Sequence, residues 1–390
     1  MHIYAIYFLA AAERARHTDH VHAKEGRQQG LLNAVVKDHR ESVRAKKGKA
    51  VGQGGISKEL LQEVPDELLE ILFEAMMRDI RDGTISEDWR TVLYVLLIKP
   101  ERNPDVVSDR REIALMAQEM KLLLGMLKRT CYNRVANRIV KEQAGWVSGM
   151  GAFDPGLALG LVVQQARRMK QPLYLLFIDL KTFFPTIHRE ALKVAELWHG
   201  IPEEVADLAL MIYGAASGEG AVQCQFDTAA GLTKSFGNPR GALMGCTLSP
   251  DKAKIFLNSI VGAITLTARG VRVWGWGDAE QEKTWEQVCH VAFADDWCGA
   301  FTTAAEARYA WSLWKAWEPI SGSQLGVLKQ KKTVLTGVGW SEGDGAPFAL
   351  PWGLSRPERE ETDDSRERAI PDFTASQSRL RDRGYGLGIL

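Results

Sequence analysis

Residues 290–300 read HVAFADDWCGA, with Asp295 and Asp296 adjacent between apolar flanks. A second adjacent pair, Asp363–Asp364, lies in the charge-dense REETDDSRER, where water solvates it, and carries no message. The 295–296 pair differs because its flanks favour burial. Burying an unpaired carboxylate costs several kcal/mol or forces it to protonate, and two side by side repel. A divalent cation is the usual remedy. Asp179, in LFIDLKTFF, is a lone acid ending another apolar run. Alone it reads as a strand-end residue or a helix cap. If the two runs are neighbouring strands, three carboxylates converge. Hard oxygen ligands so placed can hold two magnesium ions, one activating an attacking oxygen and one stabilising the leaving oxygen of an in-line phosphoryl transfer.

The elements that must position these acids are legible as runs. LYLLFIDL (173–180) reads as a buried strand. VRVWGWG through EQVCHVAFADDWCGAF reads as strand, loop and strand, with Asp295–Asp296 at the turn. Helices are expected over 57–83 (with Pro65 opening a second one), HREALKVAELWHG, PEEVADLALMIYG, 249–270 and AEARYAWSLWKAWEPISGSQLG. Strands are expected at 88–100 and in KKTVLTGVGW, and a hairpin at 220–236. Residues 112–143 read as one long amphipathic helix or a pair. Its polar face carries Lys121, Lys128, Arg129, Arg134, Arg138 and Lys141, a surface suited to phosphates, although simple solvation also explains such a face. After Trp340 the texture turns to glycine, proline and charge, and an irregular or disordered tail is expected.

The chain has 390 residues, formal net charge zero and 45% hydrophobic residues, enough for two or three subdomains with a sizeable core. Zero net charge leaves any nucleic-acid contact to local patches. Five cysteines (131, 224, 246, 289 and 298) lack CxxC spacing, which excludes a zinc ribbon or disulfide scaffold and suits a reducing, intracellular compartment, nuclear or cytoplasmic. No apolar run reaches the ~18–20 residues of a membrane span. IYAIYFLAAA is short, lacks a basic region before it as a signal peptide would have, and runs into ERARH; His17, His20 and His22 read as a solvated polar segment.

Several motifs occur in an order that resembles the reverse transcriptase domain, of the non-long-terminal-repeat retrotransposon and group II intron type, over roughly 45–340. They are KAVGQGGISKELL (49–61), DWRTVLYVLLIKP, RREIALMAQEMK, EQAGWVSG, IDLKTFFPTI (178–187), GALMGCTLSP (241–250), FADD (293–296) and LGVLKQKKT (325–333). FADD alone arises easily by chance; the series in order is far more specific. The resemblance implies an α+β chain with the fingers and palm of a right-hand polymerase, an antiparallel palm sheet packed on helices, and a thumb missing or degenerate. The implied division is an N-terminal helical extension (1–48), a fingers-like part (49–172), a palm (173–340) and a tail (341–390).

By the same resemblance, Asp179 and Asp295 hold two Mg2+ ions, with Mn2+ as a substitute, aided by the Leu180 carbonyl, and Asp296 supports the site. Phe184 stacks under the sugar and blocks a 2′-hydroxyl, favouring deoxynucleotides over the ribonucleotides of an RNA-copying polymerase. Lys99 and Arg111 grip the triphosphate, Lys332 faces the leaving pyrophosphate, and Met244 and Gly245 lie along the nucleotide and templating pair. Lys121, Lys128, Arg129, Arg134 and Arg138 are the nucleic-acid surface. The implied partners are an RNA template, a DNA primer, deoxynucleoside triphosphates and further retroelement domains or subunits, with no membrane.

The sequence departs from the family pattern at several points. Met244 stands where glutamine is usual, Gly54 and Pro185 where aspartate is usual, and Glu112 where proline is. The interval from Asp179 to Asp295 is long, and no thumb, endonuclease or ribonuclease H pattern follows residue 340. A non-catalytic nucleic-acid-binding scaffold, or a decayed fragment, is the alternative.

Overall fold

The computed structural model describes residues 50–350 except 53, 83–85, 104, 107–108, 214–221, 239, 275–284, 327–332 and 343–345. The expected N-terminal extension, the tail beyond 350 and Lys332 lie outside the described residues. In chain order the elements are α1 (Lys58–Glu63), α2 (Asp66–Arg81), α3 (Glu87–Arg90), β1 (Thr91–Ile98), β2 (Arg110–Leu115), α4 (Gln118–Thr130) and a 3-10 turn at Tyr132–Arg138. There follow α5 (Phe153–Arg168), β3 (Leu173–Ile178), β4 (Leu180–Lys181), α6 (Phe183–Thr186), α7 (Arg189–Trp198), α8 (Glu203–Tyr213), β5 (Gln223–Thr228), β6 (Gly231–Leu232) and β7 (Phe236–Gly237). The last are α9 (Ser249–Thr267), β8 (Val271–Trp274), β9 (Trp285–Val288), β10 (His290–Phe293), β11 (Asp296–Phe301), α10 (Ala304–Ser321), β12 (Gln324–Leu325), β13 (Val334–Trp340) and β14 (Pro347–Ala349). The chain is thus a mixture of helices and sheets.

Among the described residues the contacts form two compact units, one within 50–138 and 184–256, the other within 139–183 and 257–350. Each unit is thus made of two separate stretches of the chain.

In the first unit, β1 pairs antiparallel with β2 and parallel with β5, giving a sheet ordered β2-β1-β5-β6, with β7 also on β5. The long helix expected over 112–143 is not formed. Residues 110–115 are a strand because Leu115 to Arg110 pair with Leu93 to Ile98; ladder hydrogen bonds outweigh the helical periodicity of the sequence. The helical part is α4, which buries Leu123, Leu124 and Leu127, and then the 3-10 turn. Ser57 caps α1, its hydroxyl accepting from the Leu60 N–H at 3.1 Å.

The second unit is built on an antiparallel sheet ordered β10-β11-β3-β13-β14. On one face, Leu159, Val162 and Ala166 of α5 pack against Leu173, Leu175, Val291, Cys298, Ala300, Val338 and Trp340. α10 covers the other face, its Trp314 meeting Trp297 of β11 edge-on at 5.4 Å. Covering both faces explains why β3 (LYLLFI) and β11 lack a polar–apolar alternation. Each fully buried large side chain, such as Trp314 or Phe301, contributes about 1.5–3 kcal/mol. Thr303 caps α10, accepting from the Glu306 N–H at 3.2 Å, and Gly322 ends it in the left-handed conformation at φ 74°. Residues 347–349, expected to be irregular, pair with β13 instead. All five cysteines are free and buried.

Candidate active site

The site is built on two neighbouring strand ends of the second unit. β3 and β11 pair antiparallel, with Ile178 opposite Trp297. One row further on, Asp179 leaves β3 where Asp296 enters β11. Asp296 in turn pairs with Phe293 across the β10–β11 hairpin, so Ala294 and Asp295 are a two-residue turn. Such turns demand positive φ, and Ala294 adopts φ 58°. The sheet register therefore brings Asp179, Asp295 and Asp296 to the same end of adjoining strands.

Burial differs from the expectation. Asp179 and Asp295 are half-buried and Asp296 is exposed. The apolar flanks are covered while the hairpin tip reaches water, so desolvation alone does not oblige a cation here. Among the described residues, no group of three or more His, Cys, Asp and Glu side chains is gathered as a metal cage.

The backbone around Asp179 is held closely. The Asp179 N–H donates to the Thr333 hydroxyl at 3.2 Å, and its carbonyl accepts from the Gly326 N–H at 2.8 Å. Leu180 pairs with Leu325 between β4 and β12. A Cβ at position 326 would stand 2.7 Å from the Asp179 carboxylate, so only glycine leaves that oxygen its place.

The Ala294–Asp295 turn is also held. Gln143, 5% exposed, donates from its amide nitrogen to the Ala294 carbonyl and accepts at its amide oxygen from the Ala294 N–H, both at 2.9 Å. Gln143 lies in the EQAGWVSG motif, whose resemblance implies no role for it. A glutamine in a short polar stretch carries no single-sequence signal of docking on a hairpin so far along the chain. Gly326 and Thr333 were missed for the same reason.

Five other expected residues belong to the first unit. Arg111 lies in β2 opposite Leu97, and Lys99 follows Leu97 by two positions at the tip of the same hairpin. The Ala114 N–H of β2 donates to the Met244 carbonyl at 2.6 Å. Gly245 follows at φ 110°, and a Cβ there would lie 2.6 Å from the Ala114 carbonyl oxygen, so the position needs glycine twice over. Phe184 is buried, and its carbonyl accepts from the Ala242 N–H at 2.8 Å. Within this unit, Lys99, Arg111, Met244 and Gly245 thus follow one strand, β2, and its hairpin.

The basic residues do not form one helical face. Lys121, Lys128 and Arg129 sit on α4, and Arg134 and Arg138 on the 3-10 turn. Lys128 pairs with Asp251 at 2.7 Å, and an Arg138 guanidinium nitrogen donates to the His199 carbonyl at 2.5 Å. Arg134 is exposed.

No family model matches the chain. Among solved structures it is similar to apo telomerase from Candida tropicalis truncated from its C-terminal domain, with a TM-score of 0.43 and 11% identity. The match covers 74% of this chain and 58% of that one. A likeness of that size assigns neither family nor activity. None of the described helices is long and apolar enough to cross a membrane.

Proposed function

We propose that the chain is a nucleotidyltransferase domain of the reverse-transcriptase type, extending a primer with deoxynucleotides on an RNA template. One observation carries the reading: Asp179, Asp295 and Asp296 lie at the same end of two neighbouring antiparallel strands, in one unit and one sheet. The donor atoms on offer are hard carboxylate oxygens, half-buried but open to solvent, and they suit magnesium or manganese. Asp179 and Asp295 would hold the ions, with the Leu180 carbonyl. When bound, such ions neutralise charge on a transferring phosphoryl group. The protein's own part is positional. Gly326 and Thr333 fix the Asp179 backbone, and the hairpin fixes Asp295. In the first unit, Lys99 and Arg111 supply a point charge and a fork suited to a triphosphate.

The decisive measurement is primer extension on an RNA template with magnesium. Wild type is expected to extend with deoxynucleotides and poorly with ribonucleotides, whereas Asp295→Ala and Asp179→Ala lose extension while keeping their fold by circular dichroism. Extension that survives both substitutions overturns the reading. Met244 favours a second one, a nucleic-acid-binding scaffold with impaired catalysis, because methionine fills a glutamine's space without its hydrogen bonds. Wild type that binds an RNA–DNA duplex but never extends it supports that alternative.

A further inference from the structure

We propose that Gln143 is a positioning residue that sets the direction of the Asp295 carboxylate by holding the turn before it. The inference rests on the reading of Asp295 as a metal ligand and names the device that aims it.

The contacts are unusually complete for one side chain. The Ala292 N–H donates to the Glu142 carbonyl at 3.0 Å, and the Ala144 N–H donates to the Ala292 carbonyl at 2.9 Å. These bonds make a parallel bridge between Gln143 and Ala292 at the edge of the sheet. Beyond that bridge the Gln143 side-chain amide bonds the turn. It bonds both the N–H and the C=O of Ala294, as a neighbouring peptide group would. Its oxygen also accepts from the Gly145 N–H at 2.9 Å, which fixes the amide's orientation.

Ala294 needs such a partner. It is an L-residue at φ 58°, a conformation that is costly without external support. Asp295 is the next residue, so the Ala294 dihedrals decide where its carboxylate goes. Gly145 makes the approach possible. A Cβ there would lie 1.9 Å from the Ala294 nitrogen, so any side chain would push the turn away. If Gln143 only filled space, methionine would replace it without consequence.

The test uses the full chain with four changes: Gln143→Met, Asp295→Ala, Ala294→Gly, and Gln143→Met combined with Ala294→Gly. Hydrogen exchange at the Ala294 amide reads the clamp without any metal. Gln143→Met is expected to speed it at least about tenfold and to lower thermal stability, because three hydrogen bonds to backbone groups are lost together. Binding of Mn2+, followed by its paramagnetic resonance signal, reads the consequence. Wild type binds, Asp295→Ala binds much less, and Gln143→Met is weakened about tenfold. Ala294→Gly in the Gln143→Met background restores part of the affinity, because glycine takes the left-handed conformation unaided. Unchanged exchange and unchanged Mn2+ affinity in Gln143→Met overturn the proposal. Equal Mn2+ binding by wild type and Asp295→Ala overturns the metal reading instead, and the exchange measurement then still decides whether Gln143 holds the turn.

Discussion

His290 opens β10 with no exposed surface, its Nε2 2.9 Å from the Thr265 hydroxyl and its ring stacked on Trp297 at 5.9 Å. Burial pushes its pKa down to about 4, so the folded protein keeps it neutral where the unfolded chain would protonate it. The sign follows directly. Above the ordinary value of 6.5 both states are neutral and the contribution is whole. As pH falls from 6.5 towards 4, the unfolded state gains a proton that the folded one refuses, and stability is lost. Urea titrations at pH 7 and pH 5 should differ by on the order of 2 kcal/mol from this group, and His290→Gln should flatten that difference. The same neighbourhood shows why adjacent acids at 295–296 are tolerated. The pair sits where the turn meets the first residue of β11, so the sheet buries Trp297 and Cys298 and leaves Asp296 in water.

Pairing between elements is the level at which the sequence is least legible. β3, β10, β11 and β13 were legible because apolar runs of strand length end in charge or glycine. The convergence of the acids requires that two of them adjoin, and Ile178 and Trp297 pair between β3 and β11. β2 is hidden in the sequence because EIALMAQEMKLLL, from 112 on, has helical spacing; only the presence of β1 beside it decides otherwise. The Gln143 contact was illegible since it joins positions remote in sequence through a side chain. A further inter-element bond lies in the first unit. Lys252 of α9 and Glu196 of α7 form a fully buried pair at 2.6 Å, and the Tyr132 hydroxyl donates to the same Glu196 oxygen at 2.7 Å. Removing one partner strands the other charge. Lys252→Met is therefore expected to cost about 3–5 kcal/mol in chemical denaturation, and Lys252→Met with Glu196→Leu to recover most of it.

For the molecule as a whole, formal net charge is zero, so any hold on nucleic acid must come from local surfaces. Binding to an RNA–DNA duplex, followed by fluorescence anisotropy, is expected to weaken steeply with salt, the log–log slope carrying about one unit per phosphate contact. Arg134→Gln should lower that slope, whereas Lys128→Gln should lower it less, because Asp251 already neutralises Lys128. The placement of β3 has another outcome, for biosynthesis. It is finished by Ile178, yet its two ladder partners begin only at Asp296 and Val334. A nascent chain must carry LYLLFI unpaired while the ribosome adds both, and a short, uncharged, apolar stretch of that sort is what holdase chaperones bind. Premature release before Val334 would leave that strand with an open flank, ready to capture another nascent chain.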